Sequence, residues 1–245
     1  MVLPLFQHPL SPLPSIGQSI ILDGPEGKHA VGVRRLRVGE GIQLANGHGV
    51  RVVGQVTEVM ANQLLLTASE VEVEAMPDPG ITLVQALAKG DRDEMAVQAG
   101  TELGITAVVP WQADRSISRW EGPKIGKGVA RWQQIANEAS KQALRAFNPE
   151  VAEPVTTKQL AGIVANFAKV LVLDPTATQR LSEVELPTSG QIAVVVGPEG
   201  GIDDHELELL AAAGAIRVRL GESILRTSTA GMAAIAVIEA RLGRW

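Results

Sequence analysis

Ile192-Ala193-Val194-Val195-Val196-Gly197-Pro198-Glu199-Gly200-Gly201 decides how most of this 245-residue chain is read. Five consecutive apolar residues predict a strand buried on both faces, the pattern of a parallel sheet covered by helices. The run stops at glycine and proline, which punctuate structure rather than extend it. In open α/β sheets the carboxyl end of a strand is where ligands bind. Glycines there let backbone approach a ligand closely, although a glycine-rich turn taken alone is also a plain strand-to-helix connection. The neighbouring segments repeat the arrangement. Val170–Leu173 is a predicted strand ending at Asp174-Pro175, and Ile216–Leu220 runs into Gly221-Glu222-Ser223-Ile224-Leu225-Arg226-Thr227. Three loops at the same end of consecutive strands predict one pocket. Its candidate lining is Leu173, Asp174, Pro175, Gly197, Pro198, Glu199, Gly200, Leu220, Gly221, Ile224, Leu225 and Arg226.

Outward from that pocket, strands alternate with helices. Ile81–Ala88 is a near-continuous apolar run, a further buried strand. Asp91 is expected to cap a helix with Glu94 at the capping-box position and Met95, Ala96, Ala99 and Leu103 as the apolar stripe. Ala107–Pro110 is a short strand. From Val129 to Phe147, apolar residues fall three or four apart (Val129, Trp132, Ala136, Ala139, Ala143, Phe147), which predicts a long amphipathic helix. A helix over Asp203–Ala213 carries its acids at the end the helix dipole favours. The last helix, about Ser228 to Leu242, is apolar nearly all round, so it is expected inside the domain or against a second subunit. The class is α/β with a mainly parallel sheet.

Residues 1–75 read differently. Ser19–Leu22, Gly41–Leu44, Val50–Val59 and Gln63–Ala68 are short apolar stretches separated by glycine-rich turns, and Val71-Glu72-Val73-Glu74 alternates like one more half-exposed strand. Met76-Pro77-Asp78-Pro79-Gly80 is a linker by composition, which puts the second domain at 76–245.

Composition closes several routes. There is no cysteine, so disulfides, thiolate nucleophiles and cysteine metal sites are excluded. The four histidines (His8, His29, His48, His205) stand at no ligand spacing, and no metal is expected. No G-x-G-x-x-G follows a strand and there is no P-loop, which argues against a dinucleotide enzyme. The proline-broken start carries no basic leader, and no apolar stretch has the length of a membrane span, so a cytoplasmic protein without a membrane partner is expected. Net charge is −5, yet Lys28, Arg34, Arg35 and Arg37 cluster with no acid among them, and Asp114–Arg145 carries seven cations against three acids. Such patches suit phosphate contacts, and equally suit ordinary solvated faces.

Val196-Gly197-Pro198-Glu199-Gly200-Gly201, with Leu220-Gly221, Ile224-Leu225-Arg226-Thr227 and Thr229-Ala230, resembles the signature of the RsmE family, SPOUT-class methyltransferases of small-subunit (16S) ribosomal RNA. Lys89-Gly90-Asp91-Arg92, Thr101-Glu102-Leu103-Gly104, Arg131-Trp132-Gln133 and Glu138-Ala139 with Gln142 are similar to further family motifs in the same order. His29 and Arg34-Arg35-Leu36-Arg37-Val38-Gly39 resemble the family's PUA-like RNA-binding β barrel. Ser228 departs from the pattern, standing where the family has glutamate, and Ser223 replaces a residue that is often basic.

The resemblance implies a C-terminal domain with a deep trefoil knot, a homodimer, S-adenosylmethionine as cofactor, and methylation of uridine N3. Another SPOUT activity, on ribose or a different base, would use the same pocket, and a non-catalytic RNA-binding assembly protein is the alternative from another class. Removing the N3 proton leaves negative charge on the ring, so Arg226 is the expected stabilising cation. Glu199 is either the base or the cap of the following helix. Lys28, His29, Arg34, Arg35, Arg37, Gln142 and Arg145 are the candidate RNA contacts.

Overall fold

The computed structural model describes residues 2–245. They fall into two compact units, one of residues up to Met76 together with Ser140–Asn148, the other of Pro77–Ala139 and Pro149–Trp245.

In the first unit, β1 (Leu5–Gln7), β2 (Ser19–Leu22), β3 (Gly41–Ala45), β4 (Val50–Val59) and β5 (Leu64–Val73) form one sheet in the order β1-β3-β4-β5-β2. Period-two patterning sends Phe6, Leu22, Ile42, Leu44, Val52, Val56, Leu64 and Leu66 to one buried cluster. The stretches Gln63–Ala68 and Val71–Glu74, expected as two strands, are a single strand, β5. Register shifts opposite it, at Val53/Gly54 and Val56/Glu58, let the long pair bend without ending. Between β2 and β3 the chain forms a helical turn, α1 (Gly24–Lys28), which runs into a π-helical turn over His29–Val33.

The second unit contains β6 (Gly80–Ala86), α2 (Arg92–Glu102), β7 (Ala107–Gln112), α3 (Pro123–Gln142, its last turn counted with the first unit), β8 (Glu150–Val151), β9 (Val155–Thr156), α4 (Thr157–Ile163), β10 (Lys169–Leu173), β11 (Gln191–Val196), α5 (Asp204–Ala212), β12 (Ile216–Val218) and α6 (Thr227–Arg241). Its sheet is parallel, in the order β12-β10-β11-β6-β7-β8, with β9 also on β7. Alternation along β11 explains why its run is continuously apolar. Ile192, Val194 and Val196 point to one face, against Ala96 and Val97 of α2 and Ala234, Ile235 and Ile238 of α6. Ala193 and Val195 point to the other, with Leu160 of α4 and Leu207 and Leu210 of α5. Each fully buried Val, Ile or Leu contributes roughly 1.5–3 kcal/mol, so both helical layers are held tightly on this strand.

The helices differ from expectation in instructive ways. Asp91 precedes α2 but makes no side-chain cap; Asp93 takes the organising role, accepting from the N–H groups of Ala88 at 3.0 Å and Glu94 at 2.9 Å. Glu94 pairs instead with Arg131 at 2.8 Å. The buried face of α2 is Asp93, Ala96, Val97, Gly100 and Thr101, whereas Met95 is 48% exposed. The long helix stops at Gln142, short of Phe147. Leu144 adopts φ 57°, and Arg145 N–H bonds the Ser140 carbonyl at 2.8 Å, the closing bond of a Schellman turn. No glycine marks that stop, so the apolar spacing overran it. Asp203 caps α5 in a full capping box with Glu206. Glu199 therefore does not cap that helix. On α6, Gly231, Ala234, Ile235 and Ile238 are buried, while Met232, Ala233, Ala236 and Val237 stay half-buried within one chain.

Candidate active site

The three glycine- and proline-bounded loops end neighbouring strands, because β10 lies between β12 and β11 in the sheet. Together they line a cavity of about 450 Å3 in the second unit, within the roughly 300–1,000 Å3 typical of small-molecule sites. Eleven of the twelve expected lining residues face it: Leu173, Asp174, Pro175, Gly197, Pro198, Glu199, Leu220, Gly221, Ile224, Leu225 and Arg226. Gly200 does not. It lies against Arg115, whose guanidinium approaches the Gly200 carbonyl at 3.4 Å. Arg92, Ile202, Leu207, Arg219, Thr227 and Ala230 also line the cavity and were not in the expected set.

Gly221 bears on what the cavity can hold. It has no positive φ, and a Cβ added there would meet nothing within 4 Å. Neither backbone strain nor protein packing therefore calls for glycine. The backbone groups of Leu220 and Gly221 also make no hydrogen bond among the described residues. Free donors and acceptors beside the apolar side chains of Leu173, Ile224 and Leu225 suit a flat heterocycle lying against the loop and bonded at its edge.

Charge is arranged around that apolar wall. Asp174, 6% exposed, accepts at Oδ1 from the Thr176 N–H and hydroxyl (both 2.9 Å) and at Oδ2 from Arg217 Nε at 2.7 Å. Burial works against its charge, but these bonds outweigh it and hold the carboxyl below the ordinary carboxylate value. Glu199 receives the Lys89 N–H at 3.0 Å and the Arg92 guanidinium at 2.7 Å on the same oxygen. Here too burial opposes ionisation and is overcome, by the backbone N–H of Glu199 itself, by Arg92 and by Lys89, so the net shift is downward.

Arg226 contrasts with Arg92. It is exposed, and its guanidinium has no hydrogen-bond or ion-pair partner among the described residues. It is also the N-cap of α6, without a capping side chain. A cation at the positive end of a helix dipole is unfavourable by about 0.3–1 kcal/mol, so local stability does not explain this residue. Glu199 pairs with Arg92 and not with Arg226.

A model of the RNA methyltransferase domain family matches residues 76–239, and one of the RNA methyltransferase PUA domain matches residues 22–69. Ribosomal RNA small subunit methyltransferase E of Mycobacterium bovis is 39% identical over 95% of this chain and 90% of its own length. The chain belongs to the ribosomal RNA small subunit methyltransferase E family. The Bacillus subtilis member is 30% identical over 89% of this chain and 88% of its own. A crystal structure of the Neisseria gonorrhoeae member, bound to S-adenosylmethionine, superposes with a TM-score of 0.86 at 30% identity, covering 98% of each chain. The fold expected from the resemblance, a PUA-like unit ahead of an α/β RNA methyltransferase domain, stands.

The seven candidate RNA contacts all belong to the first unit. Lys28, Arg34, Arg35, Arg37 and Gln142 are exposed, whereas His29 and Arg145 are half-buried. His29 meets the Phe6 ring edge-on at 5.8 Å, a packing role. Gln142 ends α3, and Arg145 lies beyond it rather than on the helix's polar face. The side chains of Arg34, Arg35 and Arg37 carry no ion pair among the described residues, and Arg35 holds φ 55°, rare outside glycine.

Proposed function

We propose that this chain transfers the methyl group of S-adenosylmethionine to N3 of a uridine in small-subunit ribosomal RNA, in the cytoplasm, as a homodimer. The observation that carries the reading is the cavity at the ends of β10, β11 and β12 with Gly221 open toward it. Bound there, S-adenosylmethionine supplies an electrophilic methyl on its sulfonium, so the transfer asks the protein for position and charge rather than for a nucleophile.

Leu173, Ile224 and Leu225 would give the heterocycle its apolar walls, and the free backbone groups of Leu220 and Gly221 would hydrogen-bond it. Pro175, Pro198 and the remaining loop residues close the pocket around it. Arg226, unpaired at the loop's end, stabilises the negative charge that develops as the uridine gives up its N3 proton. A carboxylate pressed below its ordinary pKa is a weak base, so Glu199 acts through Arg92, fixing that guanidinium at the cavity wall. Residues 1–75 supply RNA affinity through Lys28, Arg34, Arg35 and Arg37, with His29, Gln142 and Arg145 beside them, and residues 76–245 supply the chemistry.

The reading includes the trefoil knot. What supports it is the last helix: α6 packs on β6 and β11, and its Arg241 donates to the carbonyls of Leu181 and Val184 in the connection between β10 and β11. The half-buried apolar residues of α6, Met232, Ala233, Ala236 and Val237, support a second copy as its cover. Light scattering at low micromolar concentration is expected to report twice the chain mass, and a stable, active monomer would contradict the dimer.

Calorimetry with S-adenosylmethionine, followed by transfer of labelled methyl to isolated small or large ribosomal subunits, tests the whole reading. Saturable donor binding with label on small subunits alone is expected. Subunit binding without donor binding would make this a non-catalytic assembly protein.

A further inference from the structure

Beneath the pocket lies a polar residue that the chemistry above leaves unused. β6 is buried at every position, and within it Gln85 is 0% exposed. Its Nε2 donates to the Ala86 carbonyl at 3.1 Å and to Thr227 Oγ1 at 2.9 Å. The Thr227 hydroxyl in turn donates to the Gly197 carbonyl at 2.8 Å. The amide cannot be turned over, because the Ala86 carbonyl only accepts and must face the NH2 group. On its other side, Gln85 Oε1 has no hydrogen-bond partner among the described residues. A buried acceptor without a partner costs stability, and an apolar side chain of the same length would remove that cost.

The chain of bonds has a mechanical consequence. Gly197 opens the loop after β11, and Thr227 closes the loop between β12 and α6. Among the described residues no backbone hydrogen bond joins those two loops. The Thr227–Gly197 bond is therefore their polar tie. A hydroxyl has one proton, and the donated bond from Gln85 occupies a lone pair of Oγ1, leaving that proton directed at Gly197. Without Gln85, rotation about the C–O bond is free and the tie is made only part of the time.

We propose that Gln85 is a positioning residue for the methyl donor, holding the Gly197 and Gly221 loops in one register through Thr227. The inference rests on the cavity's being the donor site. A residue kept for packing would raise stability and affinity together, whereas this one sacrifices stability at Oε1.

Four variants test it: Gln85→Met, Thr227→Val, Thr227→Ser and the double variant Gln85→Met/Thr227→Val, each measured for melting temperature and for S-adenosylmethionine Kd. Gln85→Met and Thr227→Val are each expected to weaken donor binding by roughly five- to tenfold, the size of one neutral hydrogen bond. The double variant should be no weaker than Thr227→Val alone, since both act on one relay. Thr227→Ser keeps the hydroxyl and should bind like the unsubstituted protein. Gln85→Met should stay folded, since it relieves the unpartnered Oε1 while giving up the bonds to Ala86 and Thr227. Unchanged affinity in Gln85→Met, additive losses in the double variant, or a Gln85→Met protein that loses affinity only as it loses its fold would each overturn the proposal. If the unsubstituted protein binds no S-adenosylmethionine, the donor reading of the cavity falls first and this inference with it.

Discussion

Arg226→Ala separates chemistry from scaffolding more cleanly than other changes at the cavity. The guanidinium has no partner to abandon, and the residue caps α6 through its backbone, its carbonyl accepting from Thr229 and Ala230 N–H at 2.9 Å each. Alanine preserves both bonds and removes a cation from the positive end of the helix. The stability change is therefore expected within about 0.5 kcal/mol, as for an ordinary surface substitution. For a chain of this size that is about 2 °C or less in melting temperature, in either direction. Catalysis should respond on another scale. Deleting one group aimed at developing charge lowers turnover by roughly a hundredfold, about 2.7 kcal/mol in the barrier. Donor affinity should hold within a few-fold, because Leu173, Leu220 and Gly221 form the binding wall without it. The assay is single-turnover methyl transfer to small subunits at saturating donor, alongside a thermal melt and calorimetric Kd. Near-normal turnover in a well-folded Arg226→Ala protein would refute the catalytic role. A fall of many degrees together with lost donor binding would show that Arg226 braces the fold.

Two other perturbations have definite signs. Asp174 is held below its ordinary pKa in the folded state, so its stabilising contribution is complete above the unfolded value and is lost as pH falls through the lower, folded one; melting temperature should therefore drop more steeply below pH of about 4 in the native protein than in Asp174→Asn. Charge reversal of Arg34 and Arg35 to glutamate should weaken RNA binding and flatten its salt dependence while leaving donor Kd alone, and equal loss of both affinities, or of neither, would break the division of labour between the units.

The pocket was legible because its parts are local: two of the loops follow uninterrupted apolar runs, the third follows the alternating Ile216–Leu220, and each carries a glycine or proline at or near its start. Nearly every expected lining residue therefore faces the cavity. Features set by pairing across the chain were not legible. Arg92 and Glu199 are more than a hundred positions apart and meet only once β6 and β11 lie side by side, so the sequence left Glu199 as either base or cap and gave no sign of its partner. Asp203, four residues further on, took the cap because its side chain reaches the α5 N–H groups directly. The end of α3 was hidden by Leu144, which adopts a left-handed backbone where glycine usually signals the stop. Gln85 offered a faint signal, a lone amide in Ile81–Ala88, but periodicity gives a buried polar residue no meaning until its partners are known.

The most direct test of the account is the identity of the modified nucleoside. Small subunits lacking the modification are incubated with the protein and labelled S-adenosylmethionine, and their ribosomal RNA is digested to nucleosides and resolved by mass spectrometry. The account predicts label in 3-methyluridine, dependent on Gly221 and Arg226. Label on a ribose hydroxyl or on another base would contradict it.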